Sequence, residues 1–346
     1  MAKRRTKKKD KVFVISVVLF FVFCLSLVGC YYIMNNKNLK IEKLKPKNKI
    51  KIVDQDSKER PIAVMIDNNV GYDNHAGLQD SYINYEMIVE GGYTRIMALF
   101  KDKDINLIGP VRSSRHYFLD YALESDAIYS HYGWSPYAEN DISVLGVDNL
   151  NGMTIEKAYW RDNSIKAPHN VFTDIERLYK YSSEKGYNVK SNNWKLLNYS
   201  SEEINLNGSS NDGTNDYILA NNIILKYSNN HTTSYSYDID KKYYMRLMDN
   251  NKHIDKTTKE QLHYKNIVIM KVKNRSLDNY GRQDLDTVGN GEGYYITNGY
   301  ALPIKWIKEG RSEKTKYIYN DGSVVKFNDG NTFIQIIPVT TIPEFS

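Results

Sequence analysis

Beyond Cys30 this chain contains no cysteine, so whatever folds there must be held by its core alone. The run Leu27-Val28-Gly29-Cys30 closes a basic leader and an apolar stretch. Residues 1–11 carry seven Lys/Arg and one Asp, and residues 12–29 carry no charge. A positive segment, an apolar segment and small residues before a cleavage point are the parts of an export signal. Residues 1–29 therefore read as a lipoprotein signal peptide, cleaved before Cys30, whose sulfur takes lipid. Two acyl chains there would anchor stably, where one alone would be marginal. The alternative is a single N-terminal transmembrane helix, because Val12–Met34 is long enough to span a bilayer. Both readings place the body on the outer face of the cytoplasmic membrane. Cys24 leaves with the leader, so no disulfide is expected.

The formal charge of +6 belongs to the leader. The remainder balances 40 Lys/Arg against 40 Asp/Glu, which removes the electrostatic argument for nucleic-acid binding. Residues 30–57 lack periodicity and read as a basic tether on the lipidated cysteine, near anionic headgroups. Residues 200–216 are rich in Ser, Asn, Asp and Gly and read as a linker. It separates a mixed α/β region, 58–199, from a β-rich region, 217–346. The expected fold class is α+β.

Short apolar or alternating runs predict strands over 61–66, 83–89, 94–100, 105–108 and 127–132, with Gly91-Gly92 turning a hairpin. Thr173-Asp174-Ile175-Glu176 reads as a capping box opening a helix to about residue 184. Further strands are expected at 217–226, 233–237, 266–272, 293–297, 317–319, 324–327 and 332–337.

The segment Gly109-Pro110-Val111-Arg112-Ser113-Ser114-Arg115-His116 carries the strongest chemical signal. Read as the start of a helix, it puts Arg112, Arg115 and His116 on one face, where planar guanidiniums suit phosphate or carboxylate. The competing reading pairs them internally with Glu86, Glu90 or Asp120. Ser130-His131-Tyr132-Gly133-Trp134 offers an acid or base in His131 and a stacking ring in Trp134. Ala167-Pro168-His169-Asn170 offers His169 and Asn170. Asp284 and Asp286 share a side if their segment is extended, within a Gly-rich run that also reads as a plain hairpin loop. The best catalytic candidates are His131 and His169. The sequence holds no Walker loop, no zinc-ligand spacing and no Gly-x-Ser-x-Gly, so no cofactor and no metal are expected.

The blocks PIAVMIDNN (61–69), YEMIVEGGYTRIMALF (85–100), IGPVRSSRHYF (108–118), AIYSHYGWSP (127–136), KAPHNVF (166–172) and GRQDLDTVGNGEGYYITNG (281–299) resemble the YerB-like lipoproteins of Gram-positive bacteria. That family is defined by a conserved domain of unknown function. The resemblance covers most of 58–338 and implies lipid anchoring and a layout of two domains. It places Arg95, Arg112, Arg115, His131, Trp134, His169, Asp284 and Asp286 in signature blocks and implies no catalytic residue.

Three functions fit. The preferred one is a lipid-anchored envelope protein binding an anionic ligand, a cell-wall polymer or a partner protein at Arg112 and Arg115. The second is a surface enzyme acting on phosphate-bearing or glycan precursors, with a layout similar to that of the LytR-CpsA-Psr phosphotransferases. The third is a structural or assembly factor whose arginines are buried against carboxylates.

Overall fold

Ile62–Asp67 is apolar at five of six positions and wholly buried, so it can only be an interior strand. We call it β1; β2 is Ile83–Ile88, β3 Thr94–Phe100, β4 Ile128–His131 and β5 Asn149–Asn151. The structure is a computed structural model that describes residues 3–35, 49–207 and 217–346. The side chain of Cys30, residues 36–48 of the expected tether and residues 208–216 of the expected linker lie outside the described residues.

Lys3–Asn35 is a helix, α1, with Phe13, Phe20 and Phe21 exposed. Among the described residues, no helix is long and apolar enough to cross a membrane. The described residues from 49 onward form a separate compact unit.

An 11-stranded mixed sheet runs through that unit. From one edge its order is Lys316–Tyr319, Tyr300–Lys308, Gly289–Thr297, Asn266–Val272, Thr332–Pro338, β2, β3, β1, β4, β5, with Ile218–Leu219 off this path against Tyr300–Lys308. Thr332–Pro338 lies parallel to both β2 and Asn266–Val272, joining the two halves of the sequence inside one sheet. β1 is antiparallel to β3 but parallel to β4, and β4 is parallel to β5.

One face of this sheet carries the short helix Leu119–Glu124 (α2). Tyr85 donates from Oη to Glu124 Oε1 at 3.0 Å, and Lys308 pairs with the same carboxylate at 2.7 Å. The opposite face carries a second sheet built around Asn222–Lys226, Thr232–Asp238 and Tyr243–Met248. Here Gln335 bonds both Tyr227 and Tyr235, at 2.8 and 2.7 Å, and the Arg246 guanidinium lies 5.0 Å over the Phe333 ring. The architecture is α+β, with α2 against one face of a large sheet and strands against the other.

Two local expectations are corrected. Residues 105–108 form no strand; only Ile108 bridges, to Thr173. Arg112 and Arg115 do not open a helix. Residues 110–115 are extended, because their neighbours claim their backbone donors: Val111 N bonds Val171 O, Arg112 N bonds Met65 O, and Ser114 N bonds Gly133 O. The helical backbone starts only at His116, as a 3₁₀ turn leading into α2. The helix opened by Asp174 is Ile175–Glu184, with the Asp174 carboxylate accepting from Arg177 N at 2.7 Å.

Candidate functional site

The carboxyl ends of the parallel strands β1, β4 and β5 lie side by side, and loops leaving such ends build sites in open sheets. β1 ends at Asp67 and β4 at His131. Beyond them opens a cleft of about 510 Å³, lined among others by Arg112, Tyr132, Trp134, Glu139, Met153 and Arg161.

Asp67 organises one side of this region. Its side chain is almost wholly buried, yet Oδ2 lies 2.6 Å from His169 Nδ1 and 3.0 Å from Arg112 Nε. Burial alone would raise its pKa. The His169 hydrogen bond, the Arg112 charge and the Asn69 N–H outweigh that and hold the carboxyl below its ordinary value. An ionised carboxylate only accepts, so Nδ1 of His169 carries the proton and donates. His169 Nε2 has no partner among the described residues.

Arg112 is the unusual group. Its Nε is buried near Asp67 but off the line of a hydrogen bond, and no nitrogen of its guanidinium donates one to any described residue. Arg161, across the cleft, gives one N–H to Asn170 Oδ1 at 2.8 Å and lies 5.1 Å over the Tyr132 ring. Asn170 in turn donates to Asp162 O. Arg112, Trp134 and, through Arg161, Asn170 therefore converge on one cleft, with His169 joined to it through Asp67.

Other expected site residues sit elsewhere or are enclosed. Arg115 is spent on Glu90, with Nε and NH2 each donating at 2.6 Å to a different carboxylate oxygen. Arg95 is buried, donates to Ser113 O at 2.6 Å, and is pulled down to about 10, first by burial and then by the Arg115 charge. His116 bonds Asp284 at 2.9 Å, and one guanidinium, Arg275, reaches both Asp284 and Asp286. Those two aspartates do share a side, on the strand Gln283–Leu285 and just beyond it. His131 is fully buried. Its Nδ1 lies 2.8 Å from Gly133 O and its Nε2 3.2 Å from Asn149 Oδ1, and burial pushes it down to about 4. It faces no solvent and keeps no free nitrogen.

Sequence reasoning passed over Asp67, Arg161 and a buried network behind them. Glu86, on β2, is inaccessible and receives Arg246 NH2 at 2.9 Å, His231 Nε2 at 2.8 Å, Asn68 at 2.9 Å and Thr94 at 2.7 Å. Burial would raise its pKa, but the Arg246 charge and the His231 hydrogen bond drive it far below the usual carboxylate range. From Arg246 a line of bonds runs through His253 Nδ1, from His253 Nε2 to His75 Nδ1 at 2.8 Å, and from His75 Nε2 to Asp67 O at 2.6 Å. A guanidinium only donates and a carbonyl only accepts, so both neutral imidazoles between them have their tautomers fixed. The signal available was an acid at the end of an apolar strand, Asp67 after Ile62–Ile66. The network had none, since its members lie as many as 178 residues apart. Among the described residues no group of three or more His, Cys, Asp or Glu could hold a metal ion.

Two family models match this chain. The N-terminal domain of the DUF3048 protein of unknown function covers residues 50–188, and its C-terminal domain covers 223–334. The chain is 30% identical over 303 residues to the Bacillus subtilis (strain 168) protein named "Putative lipoprotein YerB"; the match takes in 86% of this chain and 87% of that one. It superposes on the crystal structure of the Bacillus subtilis YerB protein with a TM-score of 0.72 and 28% identity, over 83% of this chain and 94% of that one. Sequence blocks, paired domain models and backbone agree, and the chain belongs to the YerB-like lipoprotein family, the DUF3048 proteins of unknown function.

Proposed function

We propose that this is a lipid-anchored protein of the outer face of the cytoplasmic membrane that binds an anionic envelope ligand in the Arg112 cleft. The order of the leader and the lipoprotein designation of its relative support the anchor on Cys30. The Arg112 guanidinium carries the binding reading. It has five donors, none used for a hydrogen bond within the described residues, on the wall of a cleft. A planar fork with free N–H groups suits phosphate or carboxylate oxygens. Arg161 adds a second fork across the cleft, and Trp134 and Tyr132 add stacking area. The body is close to neutral, so attraction is local to these groups and does not come from a general field.

Calorimetric titration with soluble poly(glycerol phosphate) tests this. Wild type is expected to bind with an affinity that falls as salt rises, and Arg112→Ala with Arg161→Ala is expected to weaken binding at least tenfold. Arg115→Ala should bind like wild type if it stays folded, because Glu90 already occupies that guanidinium. Equal affinity in wild type and the double variant would remove the reading.

A further inference from the structure

His169 has the arrangement of a general base, and it stands next to Arg112, whose guanidinium donates no hydrogen bond within the described residues. Its Nδ1 donates to Asp67 Oδ2 at 2.6 Å, and that same oxygen lies 3.0 Å from Arg112 Nε. The imidazole and the guanidinium are neighbours across one atom. A buried carboxylate that fixes Nδ1–H leaves the neutral ring with its lone pair on Nε2, the tautomer a base needs. The His169 side chain is 28% exposed and its Nε2 has no described partner. On either side of it in sequence, Pro168 lines the cleft and Asn170 holds Arg161, a second wall of that cleft.

Asp67 is itself fixed from behind. The line Arg246, His253, His75 ends on its carbonyl oxygen, and all three of those side chains are inaccessible. A carboxylate anchored on its backbone side, with Oδ2 turned to both an imidazole and an arginine and Oδ1 held by Asn69 N, is preorganised. His131, by contrast, has both nitrogens occupied and cannot reach a substrate.

We infer that His169, positioned by Asp67, is the general base of a phosphodiester hydrolase site whose substrate is held by Arg112. This rests on the anionic-ligand reading of the cleft. Water attacks phosphorus, forming a new P–O bond, while its proton passes to His169 Nε2. The P–O bond to the leaving alcohol breaks, and the imidazolium returns that proton to the alkoxide. Phosphodiester and water give a phosphomonoester and an alcohol, with no oxidant, reductant or further reactant. Arg112 balances the charge that builds on the non-bridging oxygens.

The test uses the purified full chain in detergent, with bis(4-nitrophenyl) phosphate as chromogenic probe and poly(glycerol phosphate) as binding probe. Wild type is expected to turn over the chromogenic diester. His169→Ala should lose about 10²–10⁴-fold in rate, the usual contribution of a positioned base, while its affinity for the polymer stays unchanged. Added imidazole should restore some of the rate in His169→Ala, which a merely structural role would not allow. Should that variant lose its fold, His169→Gln, whose amide can still donate to Asp67, carries the comparison. Equal rates in wild type and either folded variant would overturn the inference. So would Arg112-dependent binding without any turnover, an outcome that leaves the binding reading standing. Neither binding nor turnover in the wild type would remove both.

Discussion

Arg112 and Arg115 are three residues apart and share one motif, yet they meet different chemistry. Arg115 is closed on Glu90 by two bonds of 2.6 Å, whereas Arg112 keeps its donors. The same contrast divides the histidines. His75 and His131 are fully enclosed and pushed down to about 4, chiefly by burial. His253 moves the same way and His231 the opposite way, raised by Asp249 and Glu86 against burial. For His75 and His131 the folded pKa lies below the unfolded value of about 6.5, so the unfolded chain takes up protons first on acidification. Stability is therefore lost as pH falls from about 6.5 to about 4, by up to about 3 kcal/mol per histidine at 1.36 kcal/mol per unit. His231 contributes in the other sense: its share is present below about 6.5 and lost as pH rises through its higher folded value. Urea unfolding at pH 7 and pH 5 should show a lower free energy at pH 5. His131→Gln should flatten that slope by about one proton. A slope unchanged by the substitution would mean that His131 is not kept neutral by burial.

At the scale of elements, the strands with a clean apolar or alternating pattern were readable: β1, β2, β3 and Asn266–Val272 coincide with their predicted runs to within a residue or two. Of the strands that were not expected, two long ones escaped for physical reasons. Tyr243–Met248 alternates properly, with Tyr244, Arg246 and Met248 inward, but a buried arginine at an inward position hides the period. Tyr300–Lys308 contains Pro303, which argues against a strand. On its outer side that strand pairs with Leu219 and Ile218 at 300–301 and with Tyr319–Lys316 at 304–307, leaving the proline between the two partners. The cleft was half legible. Arg112, Trp134, His169 and Asn170 stand in polar-aromatic blocks, but their assembly depends on backbone bonds that pull 110–115 straight, and helical spacing misled there. A missed signal was Ser135-Pro136, a capping serine and a first-turn proline that open the helix Pro136–Val144. Glycine spacing in 289–293, which favoured a loop, instead marks close contact: a Cβ on Gly293 would lie 2.0 Å from Ile269 O, in the adjoining strand. Gly293→Ala must therefore push a pair of central strands apart, at a cost of at least about 1–3 kcal/mol, the usual range for overpacking. Thermal unfolding should show the loss, and a melting point equal to wild type would contradict this packing.

The whole molecule raises a different question, because sequence and space divide it differently. The two family models split it near residue 200, whereas the main sheet passes through both halves. Thr332–Pro338 sits between β2 and Asn266–Val272, so β2 completes its backbone pairing only with a strand from the far end of the chain. Behind that junction lies the Glu86–Arg246 pair, inaccessible on both sides, with one partner from each half. Removing one member of such a pair leaves a buried charge uncompensated, which costs about 3–5 kcal/mol. A fragment of residues 49–200 would lose both supports at once. It would expose one edge of β2, uncover Glu86, and free the carbonyl of Asp67 from His75 and its line to Arg246. The same reasoning predicts that the cleft residues, all drawn from the first half, do not form a working site without the second. Expressed alone, 49–200 should give collapsed amide dispersion in NMR and no binding of poly(glycerol phosphate). Mixing it with a 217–346 fragment should restore dispersion if the two associate through the central strand. A fragment that folds cooperatively by itself would show that the first half closes its own core, and that the strand from the far end adds to a fold already complete.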